Sequence, residues 1–428
     1  MVDVDLRKDL FEVVNFAIKR VLPEESVKNV IERECIDELD NLYLVAIGKA
    51  AWRMAKAAKE KLGSKIKGGV VITKYKHSLG EIEGLEIFEA GHPLPDENTL
   101  KATGKAVELV SSLGKEDKIL FLVSGGGSAL FELPMEGISL EDLKTVNELL
   151  LKSGADIVEM NTVRKHISKV KGGRFAQLAF PAYVYSLILS DVLGDRLDSI
   201  ASGPAYPDET TYEDALRVIE KYALYEKMPP SVIEVLERGR RGEIPETPKE
   251  LLNVKSVIIG SVSLACRYAV ERAKELGYNT LFLTSTLSCE ASEAGRFIAE
   301  ILKEVKRSSN PIAPPCMIVL GGETVVHVKG NGKGGRAQEL ALSVAIAIRG
   351  ENRIALISAG TDGTDGPTDA AGGLVDGESF NRMVSQGVNP EEALSNNDSY
   401  NALKASGDLV ITGPTGTNVN DIIVGAVI

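Results

Sequence analysis

Short apolar runs alternate with amphipathic stretches along nearly the whole chain, and glycines cluster where the runs stop. LYLVAIG (42–48), GGVVITK (68–74), LEIFEAG (85–91), KILFLVSGGGS (118–128) and YVYSLILSDV (183–192) read as strands, several of them too uniformly apolar to have a wet face. Between them lie helical periods with stop and start signals. KAAWRMAKAAKEKLG closes at Gly63, Asp96 caps the helix through ATGKAVELVSSLG, and Ser139 opens one that ends at Gly154. A further helix is expected from Asp156 towards Phe180. Strands that keep returning through helices imply a mainly parallel sheet covered on both faces.

With 428 residues, two or three domains are expected. Residues 225–252 are rich in proline and charge and lack long apolar strands, so a boundary is placed there. KSVIIGS (255–261) then begins a new strand–helix–strand unit, and SSNPIAPP (308–315) precedes the last region. The reading is an α/β chain of two domains: a larger Rossmann-like α/β/α sandwich over 1–245 and a smaller mixed α/β domain over 246–428.

Composition removes several function classes. A net charge of −12 argues against nucleic acid as a partner. Cys35, Cys266, Cys289 and Cys316 form no CxxC pair, and the four histidines lack metal-site spacing, so neither a disulfide framework nor a zinc site is expected. The first twenty residues read as an amphipathic helix rather than a leader, and no apolar run approaches the ~18 residues of a membrane span. A cytoplasmic protein without membrane or nucleic-acid partners is expected.

Chemistry is sought where glycines meet strand ends, because open α/β sheets bind ligands there, beside helix N-termini. Gly48-Lys49 sets a cation at a helix start, against the helix dipole, which suits a neighbouring anion or an exposed lysine alike. Ser124-Gly125-Gly126-Gly127-Ser128 frees the backbone to turn N–H groups towards a phosphate. Around Lys171-Gly172-Gly173-Arg174 lie Arg164, Lys165 and Lys169, read mostly as a solvated helix face from which one or two cations reach a ligand. Asp191, after another strand, suits Mg²⁺, which prefers carboxylate, phosphate and water oxygens. The last region carries GGET (321–324), GNGKGGR (330–336), GTDGTDG (360–366) and TGPTGTN (412–418), with Arg336 opening a helix. No GxxxxGK[ST] occurs; GNGKGG matches GxGxxG without the acid that holds a ribose.

IGKAAWRMA, VSGGGSALFELP, NTVRKHISKVKGGR, SDVLGDRLDSIASGPAYPD, GGETVVHV, GGRAQELAL, SAGTDGTDGPTDAAGG, NNDSYNAL and TGPTGTNVNDI, in this order, resemble class II glycerate 2-kinases, closest to those of hyperthermophiles. The resemblance spans nearly the whole chain. It implies a glycerate-kinase domain followed by a C-terminal domain containing the MOFRL region (about 313–428), with the active site in the cleft between them. The implied reaction takes ATP and D-glycerate to 2-phosphoglycerate and ADP, with Mg²⁺ or another divalent cation. Lys49, Arg336 and Asp362 match the family's important lysine, arginine and aspartate, and Lys49 and Arg336 are expected to face each other across the cleft. The Mg²⁺ role of Asp191 extends the resemblance. A homodimer is left open. The rival reading is an NAD(P)H-dependent hydroxypyruvate reductase, and a non-catalytic sugar-acid binder is the third.

Overall fold

The computed structural model describes residues 5–428. The chain forms two compact units, and Pro23–Ile259 is one of them. Its sheet contains β1 (Leu42–Ile47), β2 (Ile66–Lys74), β3 (Glu86–Ala90), β4 (Lys118–Val123), β5 (Tyr183–Leu189) and β6 (Val254–Gly260), in the order β3-β2-β1-β4-β5-β6. The pairings β2–β3, β1–β2, β1–β4 and β4–β5 are all parallel. Burial on both faces explains the unbroken apolar runs of β1 and β4. On one face Val45, Ile47 and Phe121 pack with Ala102, Phe131 and Phe175, the Phe121 and Phe175 rings 4.6 Å apart. A satellite core joins helices Leu140–Ser153, Ile157–His166, Tyr212–Lys221 and Pro230–Arg240 through Val146, Leu150, Val163, Ile219 and Leu236.

The helix expected from Asp156 towards Phe180 is two helices, Ile157–His166 and Arg174–Ala179. The chain turns between them at Gly172 and Gly173, both with positive φ, whose amides donate to the Ser202 and Gly203 carbonyls. That pairing with a distant stretch of chain outweighs the helical period of the flanking residues.

The other unit contains Gly260–Ile428 and the N-terminal helix Leu6–Arg20. Its sheet holds β7 (Asn279–Leu287), β8 (Cys316–Gly322), β9 (Ile354–Gly360), β10 (Gly372–Asp376), β11 (Leu409–Val410) and β12 (Asp421–Val427), in the order β11-β10-β9-β12-β8-β7. β7–β8 is parallel and the other pairings are antiparallel, so the sheet of this mixed α/β unit is itself mixed. Helices Ala291–Ser308 and Arg336–Ala347 supply Ile298, Leu302, Leu340 and Val344 to a core with Ile318, Leu356 and Ile423.

The compact units do not coincide with a division at 245/246. KSVIIGS completes the first sheet as β6 beside β5 rather than opening a new one. The N-terminal helix binds the later unit: Arg7 pairs with Asp376 (2.6 Å) and Asp408 (2.9 Å), the Tyr278 hydroxyl donates to Asp9 (2.7 Å), and Thr417 donates to the Val21 carbonyl (2.9 Å). These partners lie more than 250 residues away, so no local signal announces them.

Candidate functional site

The strand order of the first sheet reverses between β1 and β4, and the loops leaving their carboxyl ends are Gly48-Lys49 and Ser124–Ser128. A crevice at such a reversal is the usual ligand position in open α/β sheets. The two loops are laced together. The Ser124 amide and hydroxyl both donate to the Ile47 carbonyl (3.0 and 3.1 Å), and the Ala50 amide donates to the Ser124 hydroxyl (3.1 Å). The Lys49 amide donates to the Gly125 carbonyl (2.9 Å). Gly48 has φ +108°, and a Cβ there would collide with the Ser124 side chain and backbone, so only glycine allows this approach. At Gly126 (φ +84°) a Cβ would lie 3.0 Å from the His92 ring and 3.3 Å from Lys49 Cε, which places both side chains against the turn. A Cβ at Gly125 would strike the Asp191 carboxylate. Lys49, the glycine turn and Asp191 are thus gathered in one place.

The turn is less open than a free row of amides. Ser124 N–H is taken by Ile47, and Gly127 N–H donates to the Ser124 carbonyl (3.3 Å), so the cradle narrows to Gly125, Gly126 and Ser128. The Ser128 hydroxyl meets that of Ser202 (3.1 Å), which donates to Asn161 (3.0 Å). His92 is half-buried, and its pKa is pushed down to about 4, first by burial and then by Lys49, Lys74 and His77. It stands neutral beside the turn. Four lone histidines without metal spacing gave no reason to single it out.

The basic stretch read as a solvated face is largely buried. Lys165 pairs with Asp208 (3.2 Å), and Arg174 donates to the Tyr212 hydroxyl (2.9 Å) and the Pro245 carbonyl (3.1 Å). Lys171 donates to the Ser128 and Phe131 carbonyls (2.8 and 2.9 Å) and pairs with Glu132 (2.8 Å), fixing the far side of the glycine turn. Burial lowers its pKa and Glu132 opposes the shift. The loop at Gly172-Gly173 folds these cations inward; Lys169 remains exposed. Arg164 is half-buried, with Nε donating to Asn147 (2.6 Å). It lines a cavity of about 590 Å³ that also reaches Gly126, Ser128 and His92.

In the other unit, Arg336 begins its helix at the end of the sheet where β8 and β9 finish and β12 starts. Its Nε and Nη2 donate to Asp421 (2.6 and 3.2 Å) and its Nη1 to Glu323 (2.6 Å). A cation at a helix N-terminus opposes the dipole, and these carboxylates offset that cost. Asp365 accepts from the Gln338 amide (2.8 Å) in the same first turn, and burial raises its pKa. Asp421 is buried and its pKa is pushed up to about 6; Arg336 pulls against that, while Asp365 and Glu323 add to it. Asp362 accepts from the Thr364 amide (2.9 Å). A Cβ at Gly360 would sit 3.4 Å from Asp362 Oδ1 and 3.5 Å from Asp421 Oδ1, so Arg336 and Asp362 share the Asp421 neighbourhood. Sequence reading missed Glu323 and Asp421; GGET and NDI were motifs without assigned roles.

The GxGxxG match does not make a dinucleotide loop. The amides of Lys329 and Gly330 donate to the Asn397 side chain (2.7 and 3.0 Å), Asn331 to Asn396 (3.2 Å) and Lys333 to Asp398 (2.9 Å). The groups that would hold a pyrophosphate bind Asn396–Asp398 instead, and VVHV makes only an isolated bridge at Val325. Among the described residues no three His, Cys, Asp or Glu side chains group as for a metal. No helix among them is long and apolar enough to cross a membrane.

Residues 9–237 match the family described as a domain of unknown function, DUF4147, and residues 316–421 match the MOFRL family. The chain is 58% identical to a D-glycerate 2-kinase of Thermotoga maritima over 99% of both chains. It is 44% identical to a glycerate 2-kinase of Pyrococcus horikoshii, over 100% of this chain and 98% of that one. A relative from Agrobacterium vitis named putative hydroxypyruvate reductase is 41% identical, over 98% of this chain and 94% of its own. The crystal structure of a glycerate kinase from Thermotoga maritima superposes with a TM-score of 0.93 at 57% identity, covering 99% of both chains.

Proposed function

The chain belongs to the glycerate kinase family that joins a DUF4147 region to a MOFRL region, and from that premise we propose that it transfers the γ-phosphoryl group of ATP to the 2-hydroxyl of D-glycerate. The hydroxyl oxygen forms the new bond to phosphorus, the bond to the β-phosphate oxygen breaks, and ADP leaves. Phosphoryl transfer of this kind is mainly positioning and charge stabilisation. The observation that carries the reading is Lys49 held against the Ser124–Ser128 turn at the strand-order reversal. There Lys49 serves as a point charge for the transferring group, and the Gly125, Gly126 and Ser128 amides receive phosphate oxygens.

Arg336 keeps one hydrogen on each Nη after its bonds to Asp421 and Glu323, enough for a forked contact with a carboxylate or phosphate. Asp362 orients the 2-hydroxyl or accepts its proton. Asp191 beside the glycine turn fits a single-carboxylate hold on Mg²⁺, which takes its remaining ligands from phosphates and water. Bound there, the ion would supply positive charge to the phosphates. The four unpaired cysteines, two of them buried, suit a reducing cytoplasm.

The test is a coupled assay. ADP formation that requires both ATP and D-glycerate, with the phosphorus resonance of the product matching 2-phosphoglycerate, is the expected result. Oxidation of NADH or NADPH by hydroxypyruvate without ATP would replace the kinase reading with the reductase one.

A further inference from the structure

Lys165, Lys171 and Arg174 have their partners inside the fold, whereas Arg164 does not resemble them. Its Nε is held by the neutral Asn147, and no carboxylate pairs with it among the ion pairs of the described residues. Burial lowers its pKa, and Glu132, already engaged by Lys171, acts on it only through space. A half-buried guanidinium without an ion partner is costly unless a ligand completes it. The other acids of the same cavity do not fill that role: Glu141 lies with Lys144 (3.7 Å), and Glu148 with Lys152 (2.5 Å).

The cavity that Arg164 lines has two kinds of wall. Leu94, Leu143, Met160 and Ile167 make an apolar side, and Gly126 and Ser128 of the phosphate-cradle turn make the other. Its volume of about 590 Å³ falls in the ~300–1,000 Å³ range of small-molecule and cofactor pockets, which has room for a nucleoside. Glycerate has neither the bulk to fill it nor an apolar surface to match Leu143 and Met160. A flat apolar base joined to anionic phosphates fits both walls.

We propose that this cavity takes the nucleoside end of ATP, the base against Leu143, Met160 and Ile167, with Arg164 binding the phosphate nearest the ribose. The inference rests on the kinase reading and extends it: Lys49 and the glycine turn meet the terminal phosphates, and Arg164 the proximal one. Asn147 is a positioning residue that aims Arg164.

Two measurements test it. Arg164→Gln should raise the dissociation constant for a fluorescent ADP derivative about ten- to a hundredfold, the loss of one charge-assisted hydrogen-bonded contact, and raise the KM for ATP while leaving that for glycerate near wild type. A raised glycerate KM with unchanged nucleotide affinity would overturn the proposal, as would no change in either. In case the variant folds poorly, an azido-adenine ATP analogue photolysed on the wild-type protein should label residues 140–167, with protection by ADP. Protectable labelling elsewhere, or none, would also overturn it. The assay for ADP formation reads the kinase activity separately, so a working kinase labelled elsewhere refutes this site alone.

Discussion

His92 and Arg336 illustrate how single side chains report on their surroundings. His92 loses a proton that an exposed imidazole keeps to pH 6.5, because burial, and after it Lys49, Lys74 and His77, oppose its charge. The unfolded chain therefore takes up this proton near 6.5 and the folded one only near 4, so stability falls as pH drops through that window. Two-dimensional NMR should find the His92 ring still neutral at pH 5.5, and phosphate bound at the turn should raise its pKa. Titration near 6.5 in the free protein would refute the burial argument. In His92→Gln, urea denaturation at pH 7 and pH 5 should show a smaller pH loss than wild type. Arg336 carries a different expectation. Removing its charge by Arg336→Ala, and likewise Lys49→Ala, should lower kcat about a hundredfold or more, the scale for losing one group that stabilises developing charge. Circular dichroism should remain native in both. Near-normal turnover in either variant rules out that residue's role.

At the scale of elements, the glycine turn after β4 is held by backbone on one side and by a buried cation on the other. Lys171 ties the Ser128 and Phe131 carbonyls to Glu132, so Lys171→Met leaves two carbonyls without this donor and a buried carboxylate without its cation. Glu132 keeps the Ser168 hydroxyl and the Leu133 amide as donors, so a loss of about 3 kcal/mol in unfolding free energy is expected, the lower end of the cost of breaking a buried pair from one side, together with weaker nucleotide binding. Lys171→Met combined with Glu132→Gln should recover part of that stability; no recovery would show that the carbonyls, not the ion pair, dominate. None of this was visible in KVKGGR, which reads equally well as a solvated basic face. The strands and caps were legible because their signals are local: Asp96, Ser139 and Gly154 sit where cap chemistry places them. Lys49, the glycine turn and Asp191 were legible as strand-end residues. The inward fold of Lys165, Lys171 and Arg174 was not, because it depends on Glu132, Asp208 and Tyr212, which come from other elements. Nor was the closure of GNGKGG by Asn396–Asp398, whose partners lie about 65 residues away.

At the scale of the whole chain, the division into units is not a cut at one point in sequence. The N-terminal helix leaves the residues that follow it and is bound by β9, β12 and helix Val262–Glu275 of the later unit. Its apolar face of Leu10, Val13, Val14, Ala17 and Ile18 is fully or nearly buried there. Burying such side chains contributes about 1.5–3 kcal/mol for each larger aliphatic one, before chain entropy is set against it. The ion pairs of Arg7 add specificity, because Asp376 and Asp408 are also held by Arg382 and accept Arg7 into a preformed acidic corner. This predicts where damage appears when the helix is weakened. In Val13→Asp combined with Leu10→Ala, hydrogen exchange should accelerate in β9, β12 and residues 262–275. The amides of β1, β4 and β5 should keep their protection, since Pro23–Ile259 carries its own core. Limited proteolysis should first cut within 260–428 and leave the earlier unit intact. If β1 and β4 lose protection first instead, the N-terminal helix supports the earlier unit, and a division near residue 245 describes the chain better than the one its contacts suggest.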